Sequence, residues 1–187
     1  MLTIKTVSEP AEISGILQVQ KENLKDLISP EEAKTEGFLT AVYDIGLLAA
    51  MHAESPSIIA KDGNTIAGYA LVTVKKIMPQ HPLLQGLFNA LEKIEYKNLP
   101  LKAVDYVVVG QLCVAKNYRG LGLVQKIYGH FRTELQSRYP FCITDVARAN
   151  PRSLKAHLKT GFQVIDSVFY GDMDWDIVLW DWNNNGH

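Results

Sequence analysis

Apolar and polar positions along the chain follow two spacings, one typical of helices and one typical of strands. Helical spacing of apolar residues predicts six helices: after Pro10, over 30–37, over 43–51, over 81–99, after Gly122 and over 151–160. Alternating or continuous β-branched runs predict seven strands: 2–7, 58–60, 66–74, 104–114, 141–147, 162–169 and 173–182. The segment 104–147 is therefore a strand, a turn, a helix and a strand, an order that favours two parallel strands.

Local capping and turn residues support several of these elements. Ser29-Pro30-Glu31-Glu32 is a capping box with proline at the first helical position, and Gly37 can end that helix. Asp62-Gly63 between two apolar runs predicts a tight β-hairpin. Phe38 to Thr40 is left as a short extended link.

Composition narrows the class of protein. The chain has 187 residues, 47% of them hydrophobic, and a formal net charge of -1, which predicts one globular domain over residues 1–182 and a frayed tail at 183–187. Without a basic tract we expect no nucleic-acid partner, and without a long apolar segment we expect no membrane partner and a cytoplasmic location. The five histidines show no paired spacing, so no metal site is expected. Cys113 and Cys142 lie in apolar runs and are expected to be buried thiols.

The stretch NYRGLGLVQKIYGHF, which begins at Asn117, contains the most informative turn. A helix that begins at about Gly122 offers unpaired backbone N–H groups to an anion, and Arg119 adds a charged fork that can bind two phosphate oxygens. The stretch therefore predicts a diphosphate site, with a plain tight connection as the alternative. A dinucleotide-binding turn remains a minor alternative, with Asp145 as its ribose carboxylate, although Gln125 replaces its third glycine.

Two segments together resemble the GCN5-related N-acetyltransferase (GNAT) superfamily: VVVGQLCVAKNYRGLGLVQKIY and NPRSLKAHLKTGF. The resemblance implies an α/β GNAT fold, with a mixed central sheet of about six to seven strands flanked by helices. The helix at 81–99 is then an addition between the third and fourth strands. It also implies acetyl-CoA as acyl donor, bound by Leu112, Cys113, Val114, Arg119, Gly120, Leu121, Gly122, Leu123, Val124, Asn150, Ser153, Ala156 and His157. Val124 departs from the family pattern, which has glycine or alanine there.

The resemblance suggests two catalytic residues and leaves the general base open. His157 occupies the position of a tyrosine that often protonates the leaving thiolate, and it is expected either to supply that proton or only to pack against the cofactor. Gln111 stands where some members carry a carboxylate; it cannot accept a proton but can orient a water or the acceptor. Asp145 and Glu36 are the candidate carboxylates, each with a structural role as the alternative.

The function implied is therefore transfer of an acetyl group from acetyl-CoA to a primary amine. A small molecule is favoured over a protein as the acceptor. A non-catalytic acyl-CoA-binding module and a protein N-acetyltransferase are the alternatives. A homodimer is possible in either case.

Overall fold

A computed structural model describes residues 1–183 as nine strands and six α-helices joined by short 3₁₀ turns. The strands are β1 (Leu2–Thr6), β2 (Ile58–Asp62), β3 (Thr65–Thr73), β4 (Glu95–Tyr96), β5 (Leu99–Pro100), β6 (Tyr106–Val114), β7 (Phe141–Ala147), β8 (Gln163–Tyr170) and β9 (Met173–Asp181). The helices are α1 (Pro10–Lys21), α2 (Pro30–Glu36), α3 (Ile45–Glu54), α4 (Pro82–Leu91), α5 (Leu123–Leu135) and α6 (Pro151–Thr160). Of the tail predicted to be frayed, residues 184–187 lie outside the described residues.

Seven of these strands form one mixed sheet in the order β1-β2-β3-β6-β7-β9-β8. Neighbouring strands are antiparallel except β6 and β7, which are parallel as the sequence predicts. The predicted fold class is confirmed, including the additional helix α4 between the third and fourth strands of the sheet. Within residues 1–183 no helix is long and apolar enough to cross a membrane.

Local signals set most element boundaries. The Ser29 side chain accepts a hydrogen bond from the backbone N–H of Glu32 at the start of α2, which is one half of the predicted capping box, whereas the Glu32 carboxylate binds Lys116. Two predicted helices have different bounds in the structure. α3 begins at Ile45 because Asp44 caps it, so Tyr43 lies before the helix. α4 ends at Leu91, and the rest of the predicted helix is the β4-β5 hairpin, whose turn residues Lys97 and Asn98 both have positive φ.

The sheet has apolar side chains on both faces, each covered by helices. On one face α1, α3 and α4 bury residues such as Ile16, Met51 and Leu87 against it, and on the other α5 buries Ile127 and Phe131. Helices therefore cover both faces of the central strands, so an edge of the sheet or a gap between strands is the place to look for a ligand site.

A buried carboxylate ties α1 to the first two strands. Burial alone would raise the pKa of Glu12, but hydrogen bonds from Lys5, from the backbone of Ser8 and from Lys61 outweigh it and lower the pKa to about 2. The charged form of Glu12 thus contributes to stability at neutral pH.

The sheet opens between β6 and β7. A bulge at Gly110 breaks the register of β6 with β3, since Leu71 faces Gln111 while Val72 faces Val109. Glycine is required there because a Cβ atom would lie 2.2 Å from Oγ1 of Thr73. Within the described chain, β6 and β7 pair only at residues 106–108 with 141–143. Beyond these pairs the strands diverge and leave a gap in the sheet.

Candidate active site

A cleft of about 450 Å³ lies at this gap, between the end of β6, the turn before α5 and one side of α6. Eleven of the predicted cofactor residues line it: Leu112, Cys113, Val114, Arg119, Gly120, Gly122, Leu123, Val124, Asn150, Ser153 and Ala156. Leu121 does not line it and is 57% exposed. His157 lines a neighbouring pocket instead. Burial raises the pKa of the Cys113 thiol to about 12, so that cysteine is protonated and unreactive at neutral pH.

The Arg-Gly turn presents bare backbone to the cleft. Gly120 and Gly122 have φ values of 80° and 70°, a region that favours glycine, and no other atom lies within 4 Å of the place a Cβ would occupy. Gly122 caps α5 without a side-chain hydrogen bond, so the first N–H groups of this helix keep their hydrogen-bonding capacity. An anion can therefore approach both the turn and the positive end of the helix dipole.

Arg119 lies at the rim of the cleft and is held by polar groups of other elements. Its Nη2 donates to Oδ1 of Asn23 at 2.5 Å, and its Nη1 lies 3.3 Å from Oε2 of Glu36 and 3.6 Å from Oε1 of Glu32. Two carboxylates thus neutralise the guanidinium that the sequence assigns to phosphate binding. Glu36, one of the two candidate bases, lies on this side of the site as an ion-pair partner.

The sequence analysis missed the contribution of α6 to this rim. Arg152, Lys155 and Lys159 all line the cleft. Nη2 of Arg152 lies 3.1 Å from Oε2 of Glu36, so that one carboxylate bridges the two arginines. The signal was present in the sequence: these three cations recur at positions that share one helical face.

Asn150 joins α6 to a segment that crosses the site, residues 37–44, which we call the strap. Its Oδ1 caps α6 by accepting from the backbone N–H of Ser153, and its Nδ2 donates to the carbonyl oxygen of Phe38 at 2.9 Å. The strap passes so close that a Cβ on Gly37 would lie 2.9 Å from Oδ1 of Asn150. Asn150 therefore fixes the position of the strap relative to α6.

A second pocket of about 80 Å³ lies beside the cleft. It is lined by the strap, by α4, by the diverging parts of β6 and β7, and by Trp175. Five residues line both cavities: Phe38, Leu39, Leu112, Asn150 and Ser153. The two cavities therefore meet at the gap in the sheet.

Gln111, predicted to orient a water or the acceptor, lines this second pocket and is 8% exposed. Its Oε1 accepts from the hydroxyl of Tyr69 at 2.6 Å, and its Nε2 donates to the carbonyl oxygen of Ala41 at 2.9 Å. Gln111 thus holds the strap against the central strand. Its catalytic role stays a prediction.

His157 is 3% exposed and both of its ring nitrogens are engaged. Nδ1 lies 2.8 Å from the carbonyl oxygen of Ser153, which can only accept, so Nδ1 carries the proton. Nε2 then accepts from the hydroxyl of Tyr128 at 2.8 Å. Burial lowers the pKa of His157 to about 4, so the ring is neutral at pH 7. This arrangement favours the packing role of His157 over proton donation, which stays a prediction.

Asp145, the other candidate base, lies on the wall of the second pocket. The hydroxyl of Tyr170 donates to its Oδ2. Burial raises the pKa of Asp145, although the bond from Tyr170 acts in the opposite direction. Asp145 as a whole is half-buried and lines the second pocket, so its carboxylate borders a largely apolar cavity. Strand alternation alone could not show that this residue meets a cavity.

Comparison with known proteins agrees with this geometry. Residues 21–162 match the family model described as the acetyltransferase (GNAT) family. None of the curated proteins matches the sequence significantly. Among solved structures, the NatC complex bound to Gag peptide and CoA contains a chain with a TM-score of 0.66 and 13% identity, over 96% of this chain and 98% of that one.

Two bacterial structures show the same fold. The ribosomal-protein-S18-alanine N-acetyltransferase from Escherichia coli has a TM-score of 0.65 and 13% identity, over 100% of this chain and 97% of that one. The protein yncA from Salmonella typhimurium, solved with its cofactor acetyl-CoA, has a TM-score of 0.62 and 13% identity, over 100% of this chain and 96% of that one.

Proposed function

Because the chain belongs to the acetyltransferase (GNAT) family, we propose that it transfers the acetyl group of acetyl-CoA to a primary amine of a small molecule. The observation that carries the proposal is the cleft, in which bare glycine backbone, a helix N-terminus and Arg119 meet the gap between β6 and β7. These groups fit a pyrophosphate at one end and an extended acyl-carrying arm along the other.

Different residues of the cleft bind different parts of the cofactor. The turn at 119–122 and the start of α5 bind the pyrophosphate through backbone N–H groups and the guanidinium. Beyond the bulge, the backbone of Leu112 to Val114 is free of β7 and binds the pantetheine arm as an added strand would bind. Asn150, Ser153 and Ala156 of α6 line the opposite side. The exposed cations of α6 (Arg152, Lys155 and Lys159) line the cleft next to the solvent and favour a polyanionic ligand.

The reaction joins the amine nitrogen to the thioester carbonyl carbon and releases the thiolate of CoA. A bound ammonium first loses one proton to a base and becomes a nucleophile. Backbone N–H groups in the open part of β6 then stabilise the oxyanion of the tetrahedral adduct. The adduct loses a second proton as the carbon–sulfur bond breaks, and the sulfur gains one, so the balance is one proton released for each amide formed.

The size of the second pocket supports a small-molecule acceptor. About 80 Å³ next to the end of the cleft is far less than a folded protein substrate or a long peptide segment fills. Two of the similar structures bear on the alternative, since one holds a peptide and another is named for a ribosomal protein. Acetylation of a protein N-terminus is therefore the rival acceptor class.

The first experiment is thermal unfolding with acetyl-CoA, CoA, NADH and ATP titrated in parallel. A ligand at a hundred times its dissociation constant stabilises the fold by about 2.7 kcal/mol, which a melting curve resolves. We expect acetyl-CoA and CoA to stabilise the protein and Arg119→Ala to weaken both effects. Arg138→Ala is the matched control, because Arg138 contacts Ser55 and lies outside the cleft lining. Stabilisation by NADH alone would overturn the proposal.

Turnover separates an enzyme from a binding module. CoA release is measured with a thiol reagent in the presence of small primary amines and of peptides with free N-termini. Amine-dependent release supports the proposal. Tight acetyl-CoA binding without release for any amine would instead favour a non-catalytic acyl-CoA-binding module.

A further inference from the structure

The second pocket contains one accessible carboxylate and otherwise apolar or neutral groups. Asp145 is its acidic residue, and among the lining residues that the structure describes none is lysine or arginine. A carboxylate that faces a cavity without a protein cation is an acceptor-only group that needs a donor. The pocket therefore matches a cationic ligand and has no partner for a ligand carboxylate.

Asp145 has capacity left for such a ligand. A carboxylate can accept about four hydrogen bonds. Tyr170 supplies one, on Oδ2, and the ring of Tyr170 is itself held by stacking on Trp175, with centroids 5.3 Å apart and planes 11° from parallel. The tyrosine thus fixes one carboxylate oxygen of Asp145, and no other side chain of the described residues donates to this carboxylate. Because burial raises the pKa of Asp145, a bound cation would also restore its charged form.

The wall opposite this carboxylate is the leucine face of α4. Leu83, Leu84 and Leu87 line the pocket. The helix is locked against the β8-β9 hairpin at two glycines: a Cβ on Gly86 would lie 2.4 Å from Cδ2 of Tyr170, and a Cβ on Gly171 would lie 2.7 Å from Cδ2 of Leu83. This part of the pocket wall is therefore packed closely against the hairpin.

The size of the pocket limits the number of ligand atoms that it can hold. A buried water requires roughly 10–15 Å³ of such space. The second pocket, at about 80 Å³, therefore has room for roughly five to eight heavy atoms. A short alkylamine fits wholly within this space, whereas a tripeptide could place only its first residue there.

We propose that the acceptor is a small primary amine with an apolar body and no carboxylate, whose ammonium binds Asp145 and whose body packs against Leu83, Leu84 and Leu87. This inference rests on the proposed acetyl transfer. Asp145 binds the ammonium and takes one of its protons, which then passes to solvent. The neutral amine forms the carbon–nitrogen bond, and the second proton that the nitrogen loses offsets the one gained by the CoA sulfur.

The test is an acceptor panel with matched variants. It contains n-alkylamines from ethylamine to octylamine, phenethylamine, the amino acids alanine and leucine, and a tripeptide with a free N-terminus. Leu83→Ala widens the pocket at its least buried leucine, and Leu99→Ala makes the same change at an exposed position outside both cavities. Asp145→Asn removes the charge and keeps the shape. Acetyl-CoA-dependent thermal stabilisation is measured for every variant, to show that each one folds and binds the donor.

We expect short alkylamines to be acetylated and the amino acids and tripeptide to be poor acceptors. Leu83→Ala should move the preferred alkyl length up by about three carbons, the number it removes, while Leu99→Ala leaves the preference unchanged. Asp145→Asn should lower kcat/KM for amines by roughly 10²–10⁴-fold and remove the acidic limb of the pH profile, with donor binding intact.

Three outcomes overturn the inference, and they differ in what they imply for the proposed function. Acetylation of the tripeptide or of amino acids in preference to alkylamines refutes the acceptor class while acetyl transfer stands. Alkylamine acetylation with a length preference unmoved by Leu83→Ala, or with Asp145→Asn fully active, refutes the assigned residues alone. Donor binding without acetylation of any amine refutes both proposals together.

Discussion

Replacing Arg119 with alanine is expected to weaken acetyl-CoA binding by about 10- to 100-fold, less than the loss of two ionic hydrogen bonds would suggest. Each hydrogen bond to a charged group contributes about 1.5–3 kcal/mol. In the free protein, however, the guanidinium already binds Asn23 at 2.5 Å and Glu36 at 3.3 Å. Exchanging those partners for phosphate is expected to leave the net gain of about one such bond, roughly 1.5–3 kcal/mol, which corresponds to about 10- to 100-fold in affinity.

The same reasoning predicts the opposite effect at Glu36. Glu36→Gln removes a carboxylate that competes with phosphate for Arg119 and for Arg152. An exposed ion pair of this kind is worth about 0.2–1 kcal/mol. Acetyl-CoA binding should therefore tighten, by up to about 5-fold, and the gain should disappear when Arg119 is already alanine.

Isothermal titration calorimetry with CoA, which is not consumed, measures both effects at low and at moderate salt. Screening should shrink the Arg119 effect as salt rises. Arg138→Ala serves as the control for removal of a positive charge elsewhere. If Arg119→Ala binds CoA within twofold of the parent, or if Glu36→Gln binds it more weakly, the guanidinium is not exchanged between carboxylate and phosphate and the reasoning is wrong.

The remaining predictions concern stability and pH. Because the pKa of His157 is held at about 4, below its ordinary 6.5, the free energy of unfolding should fall by up to about 3 kcal/mol as pH drops from 6.5 to 4. Urea titrations at each pH measure this free energy, and His157→Gln should make it less dependent on pH. Glu12, with its pKa near 2 instead of 4.5, stabilises the folded state fully above pH 4.5 and loses this contribution as pH falls toward 2. Glu12→Gln should lower the free energy of unfolding by roughly 1–2 kcal/mol at pH 7 after solvent screening. An unchanged urea midpoint would contradict this role of Glu12. Gly110→Ala should destabilise the protein by more than about 2 kcal/mol because the new methyl group meets the buried Thr73. Gly129→Ala, in open space on α5, should stabilise the protein by about 0.5–1 kcal/mol. Equal urea midpoints for the two variants would show that Gly110 is not required at the bulge.

Features fixed by neighbouring residues could be predicted from the sequence. The cap at Ser29, the hairpin turn at Gly63 and the ends of α6 depend on contacts a few residues apart, and the structure has each of them where the pattern indicates. The end of α4 was wrong because the apolar residues of 92–99 continue a helical spacing but pack from a hairpin instead. Periodicity alone does not distinguish the two.

The candidate site likewise has features that the sequence predicts and features that it does not. Arg119, Gly120 and Gly122 of the turn, with Ser153 and Ala156 of α6, belong to short motifs, and these residues do line one cleft. The contacts of Asn23 and Glu36 with Arg119 join residues more than eighty positions apart, and they depend on how the chain after α1 and the end of α2 lie against the turn before α5. Likewise, the place of Asp145 in a pocket depends on the divergence of two strands, which begins at a bulge that no sequence pattern announced.

The strap has a thermodynamic consequence, because it forms part of the wall of both cavities through Phe38 and Leu39. A ligand that displaces this shared wall in one cavity changes the free energy of binding in the other. Linkage then requires reciprocity: the factor by which acetyl-CoA alters the affinity for the amine equals the factor by which the amine alters the affinity for acetyl-CoA. The hydrogen bonds from Asn150 and Gln111 that anchor the strap are therefore expected to contribute to the cooperativity between the two substrates, and Asn150 itself lines both cavities.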